Sequence, residues 1–112
     1  MIETALGTSI AFTAPHRLAT KTGFDILENG GTAVEAMVAA AAQIAVVYPH
    51  MNSIGGDGFW LIKKMGQKPV AISACGPAAE QATPDWYEKK GYKRFLPTRG
   101  PLAALTVPGT IA

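Results

Sequence analysis

The feature that most constrains the fold is an alanine-rich apolar segment, Ala33–Val47. Thr32 precedes it, and Glu35 follows three residues after Thr32, which is the spacing of a capping box at a helix N-terminus. Pro49 ends the segment, because the residue before a proline avoids helical backbone. The predicted helix is apolar on nearly all sides, and such helices are buried over most of their surface. A chain of 112 residues with one other clear helix is too small to surround it, so we expect more protein around this helix.

The rest of the pattern predicts a mixed α/β (α+β) fold without an internal domain boundary. The predicted elements are, in chain order, a strand over Leu6–Thr13, a helix over His16–Asn29, a hairpin of Phe59–Lys64 and Pro69–Ala74, a short helix from Pro84 capped by Thr83, a loop over Lys89–Pro101 and a strand over Ala104–Val107. Gly23 weakens the pattern of the first helix. Asn29-Gly30-Gly31 predicts its end, because glycine adopts the left-handed conformation that follows many helices.

Composition narrows the class of protein. The chain is 48% hydrophobic with a net charge of +2, so it is globular and gives no reason to expect nucleic acid or a membrane surface as partner. At about fifteen residues, the Ala33–Val47 segment is shorter than the roughly twenty residues that span a bilayer. The single cysteine, Cys75, excludes an internal disulfide and fits a reducing compartment. No basic segment precedes an apolar run at the N-terminus, so we expect no secretory signal and a cytoplasmic protein.

A glycine cluster, Gly55-Gly56-Asp57-Gly58, follows the apolar helix. Three glycines in four positions predict left-handed backbone or a close approach to another group. The cluster does not fit a phosphate-binding loop, because Phe59-Trp60 and a strand follow it instead of Lys-Ser/Thr and a helix. We therefore expect a tight turn in which backbone contacts backbone or substrate. Asp57 has two interpretations, local hydrogen bonding within the turn and a part in catalysis, and the first is favoured.

Few other residues suggest chemistry. His16 and His50 do not have the spacing of metal ligands, and each follows a proline at a predicted helix end, where hydrogen bonding to backbone is the simpler role. Cys75 has no base partner that the sequence can assign, as a nucleophile would require. Trp86 and Tyr87 are expected to be packing residues. No metal site, cofactor or catalytic set is therefore predicted within the chain.

Four segments resemble the N-terminal part of the large subunit of the γ-glutamyltranspeptidase family, in the same order and with similar spacing. These are Ala14–Ala19 (APHRLA), Leu27–Ala36 (LENGGTAVEA), Pro49–Phe59 (PHMNSIGGDGF) and Val107–Thr110 (VPGT). The resemblance implies a portion of the four-layer α/β/β/α sandwich of N-terminal-nucleophile (Ntn) hydrolases. It also implies a precursor that cleaves itself into two subunits and hydrolyses or transfers amides through an acyl-threonine.

The resemblance places the nucleophilic threonine on the small subunit, and no threonine of this chain corresponds to it. The implied partners are therefore the remainder of the large subunit and the small subunit, with a homo-oligomer as a further option. The chain alone is expected to be inactive. A truncated homologue that serves as a non-catalytic binding or assembly module is the alternative of a different class.

One departure from the family pattern concerns the substrate. Typical members carry an arginine after the second strand of the hairpin that pairs with the substrate α-carboxylate, and Cys75 stands there in this chain. A thiol cannot replace a bidentate guanidinium–carboxylate pair. With Gly76 and the Gly55–Gly58 turn, this variant resembles the oxamate amidohydrolase branch. The resemblance implies that Cys75 and Gly76 line the acyl pocket and that the turn supports it; γ-glutamyl specificity with a charge from Arg94 or Arg99 is the other option.

Overall fold

The computed structural model describes residues 6–104 and 106–111, which form two compact units, Met1–Ile54 and Gly55–Ala112. The first unit contains helices α1 (Arg17–Glu28) and α2 (Ala33–Val47). The second contains strands β1 (Gly58–Ile62) and β2 (Val70–Ala74), helix α3 (Pro84–Lys89) and a 3₁₀ turn, Pro101–Ala103. These are units of local contact, and the absence of an internal domain boundary stays a prediction.

Helix α1 begins and ends as its sequence predicts. His16 is the N-cap, and its Nδ1 accepts a hydrogen bond from the backbone N–H of Leu18 at 3.2 Å. At the other end Gly30 has a φ of 86°, and the N–H groups of Gly30 and Gly31 donate to the carbonyls of Leu27 and Ile26. This is a Schellman motif with glycine at the left-handed position. The histidine at the start of α1 therefore satisfies a helix terminus, as expected.

The strand predicted over Leu6–Thr13 is wrong, because this segment has no regular secondary structure. Phe12 instead packs against the core of the first unit, and a Cβ added at Gly23 would lie 2.2 Å from its ring. The hydroxyl of Thr20 accepts from the N–H of Ala14 at 3.1 Å, which ties the segment to α1. Gly23 lowers the helix propensity of α1, but its missing side chain leaves room for the Phe12 ring. Tertiary packing therefore determines the conformation of the Leu6–Thr13 segment.

Helix α2 has the predicted capping box. The backbone N–H and hydroxyl of Thr32 donate to the Glu35 carboxylate at 2.7 and 2.8 Å, and the N–H of Glu35 donates back to the Thr32 hydroxyl. The hydrogen bond from the Thr32 backbone, and then that from its hydroxyl, lower the pKa of Glu35 below its ordinary value. The predicted start of α2 is confirmed.

The expectation that α2 is buried on most sides is not met within the described part of the chain. A narrow stripe is buried, Ala36, Ala40 and Ile44, and the last two form a core with Ala19 of α1. Small residues four apart on one face let the two helices approach closely. Val46, on another face, is 75% exposed. Among the described residues, no helix is long and apolar enough to cross a membrane.

Strands β1 and β2 form the predicted antiparallel hairpin. Phe59 pairs with Ser73 and Leu61 with Ala71, which places these four side chains on one face of the hairpin. Phe59 and Leu61 are 74% and 77% exposed. Gly66 has a φ of 72° in the connecting loop, where its lack of a side chain is required. The hairpin thus presents an uncovered apolar face.

Helix α3 also follows its sequence signals. The hydroxyl of Thr83 accepts from the N–H of Trp86 at 3.2 Å, and Pro84 occupies the first turn. Tyr87 is buried, and its hydroxyl donates to the Leu102 carbonyl at 2.9 Å. The packing role predicted for Tyr87 is confirmed, and the Trp86 ring packs edge-on against it.

The strand predicted over Ala104–Val107 is reduced to a single antiparallel bridge between Ala78 and Thr106, with Leu105 outside the described residues. The N–H of Val107 donates to the Pro77 carbonyl at 2.9 Å. Prolines carry no N–H and interrupt a ladder. Because Pro77 and Pro108 flank the bridge, it does not extend into a strand.

Candidate functional site

The glycine turn Gly55–Gly58 contacts a second turn, Val107–Thr110. The carbonyl of Gly56 accepts from the backbone N–H of Gly109 at 3.1 Å and from that of Thr110 at 3.0 Å. The hydroxyl of Thr110 donates to the same oxygen at 2.5 Å. One carbonyl thus holds two turns together that lie more than fifty residues apart in sequence.

Asp57 makes a second connection between these segments. Its Oδ1 accepts a hydrogen bond from the hydroxyl of Thr106 at 3.2 Å, across 49 positions of sequence. This contact is long-range, and the local hydrogen bonding expected for Asp57 within the turn stays a prediction. Both side chains are exposed, so solvent competes for the bond and its contribution to stability is modest.

The backbone of the glycine cluster departs from the sequence prediction. Gly55, Gly56 and Gly58 do not adopt positive φ angles. A Cβ added at Gly58 would lie 3.6 Å from atoms of Ala74 and Thr110, which is ordinary contact. The left-handed conformation expected from this cluster is therefore absent, and close backbone contact is the alternative that remains.

Close backbone contact occurs most clearly at two other glycines. A Cβ at Gly76 would lie 1.6 Å from the carbonyl oxygen of Val107. One at Gly109 would lie 2.6 Å from the Ala74 carbonyl oxygen and 2.9 Å from the carbonyl carbon of Cys75. Gly109 thus touches the Cys75–Gly76 segment while its N–H holds the Gly56 carbonyl. Through Gly109, the structure brings together the two groups of site residues that the sequence predicts.

These contacts border a cleft of about 350 Å³ between the end of β2, the Cys75–Pro77 segment and the Val107–Gly109 turn. The thiol of Cys75 is free and exposed. Among the described residues that line the cleft, Ser73 and Cys75 carry the polar side chains, and no carboxylate, imidazole or cation is present. The cleft is therefore suited to hold a small group by its shape and backbone, not to transfer protons.

The other candidate residues of the sequence do not line this cleft. His16 and His50 both approach Tyr48, with ring centroids 6.3 and 4.2 Å from it. Arg94 lies over the Phe95 ring, 5.5 Å from its centroid. Neither Arg94 nor Arg99 lines the cleft. Within residues 6–104 and 106–111, no group of three or more histidine, cysteine, aspartate or glutamate side chains is arranged to hold a metal ion.

Thr106 and Gly109 are contact residues whose roles sequence reasoning missed. Val107-Pro108-Gly109-Thr110 was visible as a turn motif, but nothing in the sequence says which turn it meets. The two Gly-containing turns are separated by the whole hairpin and α3. Their pairing depends on tertiary structure, so local spacing carries no signal for it.

Solved structures with similar architecture define the class of fold. Helicobacter pylori γ-glutamyltranspeptidase matches 99% of this chain and 31% of its own chain, with a TM-score of 0.74 and 35% identity. The enzyme from Pseudomonas nitroreducens, solved with L-DON, matches 96% of this chain and 31% of its own, with a TM-score of 0.73 and 35% identity. The predicted fold class is confirmed: the chain is a mixed helix and sheet portion of an Ntn-hydrolase fold.

Sequence relatives agree with the fold. The family model for gamma-glutamyltranspeptidase matches residues 19–112, and the chain belongs to that family. It is 57% identical over 99 residues to an oxamate amidohydrolase proenzyme of Klebsiella pneumoniae, a match that covers 88% of this chain and 18% of the relative. It is 40% identical over 112 residues to the glutathione hydrolase-like YwrD proenzyme of Bacillus subtilis, covering 99% of this chain and 21% of the relative. The chain thus spans about a fifth of the length of these relatives.

Proposed function

We propose that this chain is the N-terminal part of the large subunit of a self-processing amidohydrolase that acts on a small amide of the oxamate type. In the complete protein a threonine outside this chain attacks the amide carbon, ammonia leaves, and water hydrolyses the acyl-threonine. The observation that carries the substrate class is the cleft at Cys75 and Gly76, which offers no cation where the family pattern has an arginine.

The chemistry of the cleft supports this proposal. An α-carboxylate held by arginine makes two parallel charge-assisted hydrogen bonds, and a thiol makes neither. Loss of that pair removes the contact that selects the α-carboxylate of a γ-glutamyl group. The oxamate carboxylate is bonded directly to the amide carbon, so it lies next to the nucleophile and not where the family arginine reaches. The similarity to an oxamate amidohydrolase proenzyme points in the same direction. Gly76 and Gly109 form part of the cleft wall through close backbone contacts, and the carbonyl of Gly56 in the Gly55–Gly58 turn accepts from the N–H of Gly109 and so supports that wall.

The proposal extends to partners and place. The remainder of the large subunit and the small subunit with its threonine complete the site, so the 112-residue chain alone is inactive. Relatives described as proenzymes support a protein that is cleaved after synthesis. A single free cysteine is compatible with a reducing compartment, and we propose the cytoplasm.

The decisive experiment compares oxamate with a γ-glutamyl anilide as substrates of the complete, self-processed protein, with the 112-residue chain assayed alongside. We expect ammonia from oxamate, little anilide hydrolysis, and no activity of the chain alone. Turnover of the anilide in preference to oxamate would assign a γ-glutamyl substrate, and with it glutathione metabolism. Turnover of neither, with no cleavage of the precursor, would favour a non-catalytic module.

Variants at Cys75 test its place in the acyl pocket. Cys75→Arg places a long cation in the cleft and is expected to suppress oxamate turnover, whereas Cys75→Ser keeps the size of the side chain and should retain most activity. Ala79→Arg is the matched control, because it adds the same charge to an exposed residue that does not line the cleft. Equal activity of Cys75→Arg and Ala79→Arg toward every amide tested would remove Cys75 from the pocket.

A further inference from the structure

A second cavity of about 480 Å³ lies between α3 and the chain segment that follows it. Its volume falls within the range of small-molecule sites in proteins, roughly 300–1,000 Å³. Three aromatic side chains contribute to the lining, Tyr87, Tyr92 and Phe95. The Tyr87 hydroxyl is already bonded to the Leu102 carbonyl, and the Phe95 ring is 75% exposed. The rings therefore offer apolar surface on which a flat group can pack.

Charge is concentrated at the same cavity. Half of the ten lysines and arginines of the chain fall within residues 89–99. Two of them, Lys93 and Arg94, line the cavity, with Glu88 as the acidic residue in the lining. Within the described part of the chain the one salt bridge joins Lys21 to Asp25, so no carboxylate is ion-paired with these two cations.

We propose that this cavity binds an organic anion with a flat apolar body, of which an aryl carboxylate is the simplest form. The aromatic lining takes the ring, and the Lys93 ammonium and Arg94 guanidinium take the carboxylate. Arginine is suited to this arrangement because its planar fork meets both carboxylate oxygens. The guanidinium carbon of Arg94 lies 5.5 Å from the centre of the Phe95 ring, within the range of a cation–π contact. This site is separate from the Cys75 cleft, and its existence does not depend on the proposed reaction.

The test titrates 2-naphthoate, and its neutral isostere 2-naphthamide, into the full chain and into the self-processed protein, with amide chemical shifts as the readout. We expect saturable shifts centred on Tyr92–Leu96 and weaker binding of the neutral amide by about tenfold or more, the usual effect of losing a charged hydrogen bond. Equal affinity of the acid and the amide, or no saturable shift in either protein, overturns the proposal.

Matched variants locate the carboxylate. Arg94→Gln is expected to weaken naphthoate binding about tenfold and leave naphthamide unchanged. Arg99→Gln is the matched control, because it removes the same charge from the same segment at a residue outside the cavity lining. It measures the contribution of long-range attraction to naphthoate affinity, and we expect little effect. Equal losses in the two variants would refute a specific site and indicate general attraction of anions. Hexaglutamate is titrated in the same way. Saturable shifts with this peptide but not with naphthoate would refute the small-molecule site and indicate an acidic peptide as the ligand.

Discussion

Gly76→Ala tests the backbone contact on which the candidate site rests. The added Cβ would start 1.6 Å from the Val107 carbonyl oxygen and 2.5 Å from its carbon. The first separation has to grow to at least the 3.4 Å of an ordinary contact. The three nearest atoms to the new methyl group all belong to the Val107 backbone, so no side-chain rotation relieves the clash. The Cys75–Pro77 segment and the Val107–Thr110 turn must therefore move apart.

The cost follows from what that movement breaks. The hydrogen bond from the Val107 N–H to the Pro77 carbonyl, at 2.9 Å, is lost or stretched, as is the bridge between Ala78 and Thr106. A lost hydrogen bond costs about 1 kcal/mol and inserted volume about 1–3 kcal/mol, so we expect a loss of about 2–4 kcal/mol in the free energy of unfolding. Domains typically have a free energy of unfolding of about 5–15 kcal/mol, so a loss of about 2–4 kcal/mol is large enough to measure.

Denaturant unfolding followed by tryptophan fluorescence measures this effect, because Trp60 and Trp86 both lie in the second unit. Gly58→Ala is the matched control: its Cβ would meet atoms no closer than 3.6 Å, and its backbone is not left-handed. The control should change the free energy of unfolding by no more than about 1 kcal/mol. We expect that change to be an increase, because glycine within a strand is less favourable than alanine. Equal effects of the two substitutions would refute the claim that Gly76 is fixed by backbone contact.

Three further predictions concern other contacts. The pKa of Glu35 is lowered in the folded chain, so the ionised carboxylate stabilises α2 fully above the pKa of the unfolded chain. This stabilisation is lost as the pH falls through the pKa of the folded chain. Helical circular dichroism between about pH 5 and pH 2 should therefore fall more in wild type than in Glu35→Gln. Gly23→Ala should destabilise the first unit by about 1–3 kcal/mol despite better helix propensity, and Phe12→Ala in the same chain should relieve part of this loss, as measured by thermal unfolding. A double-mutant cycle of Asp57→Ala and Thr106→Val should give a coupling of about 0.5–1 kcal/mol, because each variant removes one partner of the hydrogen bond. Additive losses would contradict a direct bond.

Local signals in the sequence predicted the ends of the helices well. The Thr32 capping box, the Gly30 stop and the Thr83 cap each involve residues within one helical turn of one another, so the sequence spacing determines the geometry. The hairpin follows for the same reason, since its strands are joined by a short loop with glycine at Gly66.

The sequence did not predict the long-range contacts, and these contacts explain where its predictions failed. The Leu6–Thr13 segment has the composition of a strand, but Phe12 is taken up by the core beside Gly23. Nothing in the sequence predicted the hydrogen bond that Asp57 accepts from Thr106, 49 positions away. Gly76 carried no local sign that it must be glycine, because the atom that excludes a side chain belongs to a segment thirty residues away. Neither propensity nor spacing contains this information.

The exposed apolar side chains of the hairpin are those expected of a sheet that is covered on both faces in a larger protein. Strands buried on both faces are apolar at successive positions, and β1 has this pattern: Phe59 and Leu61 point to one face while Trp60 and Ile62 point to the other. An isolated hairpin of two strands is at best marginally stable in water. In a four-layer sandwich such a hairpin is covered on both sides, by a second sheet and by helices. On the proposed function, we therefore expect Phe59 and Leu61, and separately Val46 on the exposed face of α2, to be buried by the remainder of the protein.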